Sequence, residues 1–431
     1  MEETIRVEVE VDPQDAWLPI TQSRNGNAYY SAFHTLTSGI GFQALLLPFA
    51  FTYLRWLELG DIKSFPRFHM AALHPLVISS APRIPAWREK VGKAVALFPI
   101  MYLSGGTCVT LIIIGGGSIK IFFQIVCGHG EALTTMEWYL VFTAAAILIA
   151  QFRPNLNSLA GVSLLGAITV IAYSTLIWML SVIKGKLLHV SYHYHPQPPC
   201  IFDVWNALGI IAFTFRGHNL VLEIQGSMPS DAKQPSHLVM WRGVKYAYLI
   251  IASCLFPLAI GGYWAYGNLI PSNGGMLGAL HQYHEHDTSK FILASTSFLV
   301  VINSLCSFQI YAMPVFDNLE STYTSKNNKP CPRWLRMSFR AFFGCLTFFI
   351  SVALPFLPSL AGLLGGIALP ITLVYPSFMW IKINKPQKYS THWCLNWTLG
   401  TIGMLLSVLV VTGAIWGIAA RGINTNFFNP H

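Results

Sequence analysis

The sequence predicts an all-α polytopic membrane protein with ten clear spans. Three observations carry this. Hydrophobic residues make up 53% of the 431-residue chain and charged residues only 10%, against roughly 25% charged in an ordinary soluble domain. The 28 Phe, 13 Trp and 17 Tyr require burial, which excludes intrinsic disorder. Apolar stretches of about 20 residues, enough to cross a bilayer as helix, recur along the chain. The short alternating segments of a membrane β-barrel are missing.

The elements follow in order. The first 28 residues are polar, with six acids and two arginines, and read as a short soluble tail. Candidate spans lie near 29–54, 94–126, 137–153, 156–183, 203–222, 243–267, 290–315, 334–358, 361–383 and 395–420. The transmembrane domain is expected over 29–420, with a short tail at 421–431. The second span is long and is expected to tilt or break at Gly105-Gly106 or Gly115-Gly116-Gly117. Arg153-Pro154-Asn155 reads as a tight turn. Residues 55–93 carry ten charges and four prolines and read as a polar loop that does not span.

Charge sets the orientation. With strict alternation after residue 93, one side receives 19 Lys and Arg and the other four. The basic side is cytoplasmic by the positive-inside rule. The net charge of +9 therefore reports topology and not a nucleic-acid partner; the partner it implies is the lipid bilayer. One span at 29–54 would then place the N-terminus outside, unless that segment does not cross fully or a span is missing.

Three motifs have chemical potential. Ser38-Gly39-Ile40-Gly41-Phe42, followed by Pro48, weakens helix inside the first span. Non-helical backbone at membrane depth lines a cavity or is buried in protein, where its freed N–H and C=O groups can hold a substrate. A packing face of small residues gives the same pattern. Phe215-Arg216-Gly217-His218-Asn219, followed by Glu223, puts costly ionisable groups in the fifth span; a structural polar cluster is the other reading. His34 is a further titratable group or a satisfied core residue. The third motif is His-rich: His129, His189, His193 and His195, then His281, His284, Glu285, His286 and Asp287. These read as polar loop surface that gains charge in acid, ahead of a metal site, because neither loop fixes its ligands on a helix. The eight cysteines are scattered singly, without metal or disulfide spacing. No metal and no cofactor is expected. Enzyme signatures such as HExxH, GxSxG and Walker A are missing.

Several segments together carry a resemblance. They are Tyr29-Tyr30-Ser31-Ala32-Phe33-His34, Leu47-Pro48-Phe49-Ala50, Pro154-Asn155-Leu156-Asn157-Ser158, Gly217-His218-Asn219-Leu220-Val221-Leu222-Glu223, Met240-Trp241-Arg242-Gly243, Gln309-Ile310-Tyr311-Ala312-Met313-Pro314-Val315-Phe316-Asp317 and Lys385-Pro386-Gln387-Lys388-Tyr389-Ser390. In this order the chain resembles the amino acid/auxin permease family, in its plant lysine/histidine transporter-like group. The resemblance implies an inverted-repeat, LeuT/APC-like helical bundle of eleven spans with its first and sixth helices broken. It implies proton-coupled amino acid symport by alternating access at the plasma membrane, with amino acid and protons as partners. The substrate would sit near Gly39, Ile40, Gly41, Arg216, Gly217 and Asn219, and His34, His218 and Glu223 are candidates for proton coupling. Arg216 stands where better-known members carry a small residue, which weakens any expectation of a basic substrate. The family's second span is replaced here by residues 55–91. A transport-inactive isoform, or an amino acid receptor or sensor of the same fold, is the alternative function.

Overall fold

The computed structural model describes residues 27–54, 86–128, 133–152, 160–192, 200–215, 236–272 and 274–421, with Leu220, Ile224, Gln225 and Met228. At 86–100, 152, 160 and 421 it describes backbone alone. The helices are α1 (Ala28–Gly39), α2 (Gln43–Leu54), α3 (Ala86–Cys127), α4 (Thr135–Phe152), α5 (Ala160–Lys184), α6 (Ile201–Thr214), α7 (Ser236–Tyr266), α8 (Gly275–His284), α9 (Lys290–Asn327), α10 (Arg333–Ala353), α11 (Leu357–Leu369), α12 (Tyr375–Asn384) and α13 (Thr391–Arg421). A π-helical turn, Pro370–Val374, joins α11 to α12 as one span.

Among the described residues, seven helical segments are long and apolar enough to cross a membrane, and the bent pair α1–α2, turning by 43° at its break, makes an eighth when taken as one span. The apolar segments Thr135–Gln151 and Ile201–Thr214 are shorter. Each of the ten expected segments overlaps a helix among the described residues.

Local chemistry sets many ends. The Asn27 side chain accepts from the Tyr30 N–H at 3.0 Å and caps α1. Thr134 and Glu137 form a capping box at α4: Glu137 Oε2 accepts from the Thr134 N–H at 2.6 Å, and Thr134 Oγ1 accepts from the Glu137 N–H at 3.4 Å. Left-handed Asn328 and Lys385 close α9 and α12.

Two expectations need correction. Residues 86–93 were expected in a loop, but α3 begins at Ala86 and runs unbroken for 42 residues, about 63 Å of helix. Its first turns carry charged residues and precede the apolar segment Met101–Cys127. Nor does α3 break at its glycines. Gly115 lies under the ring of Phe142 and Gly116 under Tyr139, so these small residues admit α4 at close range. Residues 55–85 and the Arg153-Pro154-Asn155 turn lie outside the described residues.

Polar contacts join several helix ends. Lys184 Nζ donates to the Asp287 carbonyl, and Tyr283 Oη to the Leu269 carbonyl at 3.1 Å, joining ends assigned to the exterior. On the opposite side Arg340 reaches the Ala150 carbonyl at 2.5 Å and Glu320 at 3.4 Å. α9 packs along α3 and α5 at the centre, with Phe142, Tyr173, Phe308 and Phe316 fully buried. α13 packs on α6 and α11 but leaves Leu395, Ile402, Leu405, Val408, Ile415 and Trp416 exposed, an apolar outer face suited to lipid.

Candidate functional site

The site begins where α1 stops. Gly39 is its last helical residue, and Ile40 is extended (φ −117°, ψ 133°) with its N–H still bonded to the Leu36 carbonyl at 2.9 Å. Gly41 and Phe42 make the bend, and α2 starts with the Ala44 N–H on the Gly41 carbonyl and the Leu45 N–H on the Phe42 carbonyl. Every residue of the break is buried; Ile40 is at 0% exposure.

The glycines serve by size. Neither has a positive φ. A Cβ on Gly39 would lie 2.6 Å from Ile251 Cδ1, and one on Gly41 would lie 2.7 Å from Gln43 Oε1. The break thus lets α7 and the Gln43 amide approach the backbone directly.

Two hydroxyls of α9 hold the carbonyls that the break releases. Tyr311 Oη donates to the Ser38 carbonyl at 2.7 Å, and Ser307 Oγ to the Thr37 carbonyl at 3.4 Å. They stand four residues apart, on one face of the helix. On the α5 side Thr37 Oγ1 donates to the Ser163 carbonyl at 2.7 Å, and Ser163 Oγ lies 2.6 Å from His34 Nδ1. Asn303 Nδ2 donates to the Gly166 carbonyl at 3.0 Å. α1 is thereby tied to α5 and α9 through buried polar contacts, which bilayer surroundings do not offer as alternatives.

The opposite wall is α6. Its last helical residue, Thr214, donates through Oγ1 to the Gln43 carbonyl at 3.4 Å. The Phe213 ring lies 5.9 Å from that of Phe42. Phe215 leaves helical geometry (φ −96°, ψ 11°). The buried α1–α2 break therefore faces the end of α6, and the N-terminal N–H groups and positive dipole end of α2 lie at that junction.

The structure puts Gly39, Ile40 and Gly41 at the break, as the sequence predicts. His34 lies about 9 Å farther down α1, buried and bonded to Ser163. Arg216, Gly217, His218, Asn219 and Glu223 lie outside the described residues, immediately beyond the end of α6. Sequence reasoning missed Gln43, Ser307 and Tyr311. Gln43 is 2% exposed, and its Nε2 has no hydrogen-bond partner among the described residues. A lone amide two residues past the Gly-x-Gly inside an apolar run was the available signal. Tyr311 carried no such signal, because only the fold brings it to Ser38.

The His-rich expectation is half corrected. α8 does fix His281 and His284 on a helix, but no group of three His, Cys, Asp or Glu suited to a metal ion exists among the described residues. His281 instead pairs with Glu285 at 3.7 Å. His129, His193 and His195 lie outside the described residues.

Comparison with known proteins fits this architecture. Residues 88–419 match the family model described as transmembrane amino acid transporter protein. The chain is 52% identical to lysine histidine transporter-like 8 of Arabidopsis thaliana over 441 residues, covering 97% of this chain and 84% of that protein. It is 43% identical to lysine histidine transporter-like 7 of the same plant, covering 97% and 90%. Among solved structures it resembles MhsT in complex with L-phenylalanine, with TM-score 0.56, 14% identity and coverage of 91% and 99%. It also resembles Mhp1, a nucleobase-cation-symport-1 family transporter, with TM-score 0.61, 10% identity and coverage of 97% of each chain. These two likenesses identify the fold as the LeuT type. The chain is thus a multi-pass membrane protein of the transmembrane amino acid transporter family, and a transporter rather than an enzyme.

Proposed function

We propose that the chain is a proton-coupled amino acid symporter of the plasma membrane that works by alternating access. The substrate sits between the α1–α2 break and the end of α6. Gly39, Ile40 and Gly41 supply backbone groups from one side, and Arg216, Gly217 and Asn219 supply the other. The Gln43 amide and the N-terminus of α2 face the carboxylate.

The observation that carries this reading is the buried break whose carbonyls are already occupied. Tyr311 and Ser307 donate to Ser38 and Thr37. A metal cation at those carbonyls would have to displace both hydroxyls. A proton needs only a titratable side chain, and His34, His218 and Glu223 are the candidates. The relatives' printed names support an amino acid substrate.

A specific observation favours a second reading, an inactive or receptor-like isoform. The family match begins only at residue 88, after residues 55–87, which carry six charges and four prolines. The alignment with lysine histidine transporter-like 8 runs over 441 residues, longer than the 431 of this chain, so that relative carries residues this chain lacks.

Uptake of labelled amino acids at about pH 5 and pH 7.5, in cells expressing this chain, tests both. A symporter accumulates more at low outside pH. A receptor binds without accumulation. Binding and uptake both absent would overturn the transport reading.

A further inference from the structure

The turn between α12 and α13 lies apart from the α1–α2 break, yet it concentrates charge. Lys382, Lys385 and Lys388 fall within seven residues, and all three are exposed. The sequence around them offers no counter-charge. The last acidic residue of the chain is Glu320, and the 111 residues after it carry nine Lys and Arg but no Asp or Glu. Among the described residues none of the three lysines enters an ion pair. α13 packs on α6, α11 and α12, and the one acid in these helices is Asp203, in the first turn of α6.

Local geometry closes the turn. Lys385 and Tyr389 both have a positive φ, 43° and 65°. The Lys385 N–H donates to the Ile381 carbonyl at 3.0 Å, and the Ser390 N–H donates to the Gln387 carbonyl at 3.1 Å. Ser390 Oγ accepts from the Trp393 N–H at 3.4 Å and caps α13. The lysines are thereby held at the ends of two apolar helices.

An aromatic wall leads away from them. Tyr389, Trp393 and Trp397 recur every four residues, with neighbouring ring centroids 5.3 and 5.6 Å apart. The Phe378 ring of α12 meets Trp397 at 5.3 Å. It also lies over Gly400, where a Cβ would come within 2.7 Å of it. Tyr389 and Trp397 are exposed, and the exposed Leu395, Ile402 and Leu405 continue the apolar surface along α13.

We propose that the α12–α13 turn binds an anionic phospholipid of the cytoplasmic leaflet. Lys382, Lys385 and Lys388 attract its headgroup, and its glycerol and upper acyl chains lie along Tyr389, Trp393 and Trp397. The leaflet is the one on the side that the 19-to-4 charge split makes cytoplasmic. Juxtamembrane lysines attract anionic lipid, and Trp and Tyr rings settle at headgroup level. A soluble anion would use the charges alone. A zwitterionic lipid brings an ammonium of its own, which the lysines repel. Only a ligand with an anionic head and an apolar tail uses both parts of the surface. This inference does not rest on the substrate assignment.

The test is photo-crosslinking of the purified full chain in phosphatidylcholine nanodiscs that carry a small fraction of a diazirine-tailed phosphatidylglycerol. Labelled peptides are mapped by mass spectrometry. Labelling of residues 378–405 should exceed that by the matching phosphatidylcholine probe about tenfold or more, since each lysine near a membrane surface contributes about fivefold. The readout is the ratio between the two probes, which a change in yield leaves untouched. The triple change Lys382→Gln, Lys385→Asn and Lys388→Gln should bring the two probes level. Arginine at all three positions should keep the preference. Lys326→Gln, Lys329→Gln and Arg333→Gln together remove the same charge from the α9–α10 turn and should leave it unchanged. Equal labelling by the two probes in the wild type would overturn the proposal, as would a preference that survives the neutral triple variant or is lost with arginine. Loss in the α9–α10 variant would assign the preference to general surface charge and overturn it too. Release by inorganic phosphate, but not by chloride at equal ionic strength, would assign the lysines to a soluble anion and overturn the lipid.

Discussion

The hydroxyl of Tyr311 holds the carbonyl oxygen of Ser38 at 2.7 Å, across 273 residues of sequence. The contact joins the middle of α9 to the last turn of α1, where the helix gives out. It satisfies a buried acceptor that the break would otherwise orphan, and it locks the break to a helix packed along α3 and α5.

Tyr311→Phe keeps the ring and removes only the donor. An orphaned buried carbonyl costs about 1–3 kcal/mol. The variant should insert normally, unfold at a lower temperature in detergent, and bind amino acid more weakly. Unchanged thermal stability would show that Ser38 finds another donor.

Glu320 lies between two arginines. Its Oε2 is 3.1 Å from Arg336 Nε and its Oε1 is 3.4 Å from Arg340 Nη2, with Arg340 only 1% exposed. Removing one partner of a buried pair leaves an uncompensated charge, at about 3–5 kcal/mol. Glu320→Met should therefore destabilise more than the double change Glu320→Met with Arg340→Met. A double-mutant cycle on thermal unfolding measures this, and a double variant worse than the single would refute it.

Gly365 meets α6 backbone to backbone. A Cβ there would lie 1.9 Å from the Gly209 carbonyl oxygen, which no side-chain rotation can relieve. Gly365→Ala should lower folded yield and shift α6 away from the site. Gly117→Ala, whose Cβ would meet nothing within 4 Å, should leave yield and stability within about 0.5 kcal/mol of the parent. Fluorescence-detected size exclusion of the two variants side by side gives the comparison.

The second reading turns on the segment after Leu54. With seven basic residues in 55–93, the positive-inside rule favours the cytoplasm, and the α1–α2 span then crosses opposite to the direction that the resemblance implies unless a further span intervenes. On the second reading, transport by the chain as it stands should be poor. Inserting about 20 apolar residues after Leu54 should restore uptake. Glycosylation mapping of an N-terminal tag beside the uptake assay reads both. A cytoplasmic tail with normal proton-driven uptake in the unaltered chain would refute this expectation.

The sequence by itself marked the apolar helices and the first break. Each is a property of contiguous residues: some 20 apolar side chains in a row, and two glycines around Ile40. Tertiary structure alone decided what holds the break. Ser307 and Tyr311 reach Thr37 and Ser38 from some 270 positions away, and nothing in the local run around either end marks the other. The same holds for Glu320 with Arg340, which meet only once α9 and α10 are packed together. His284 read as loop surface because four neighbouring polar residues suggest hydration; the fold instead seats it against Tyr266. Hydropathy is additive along a chain and so can be read from it. Partner choice inside a bilayer depends on which helix faces meet, and that is set only when the bundle closes.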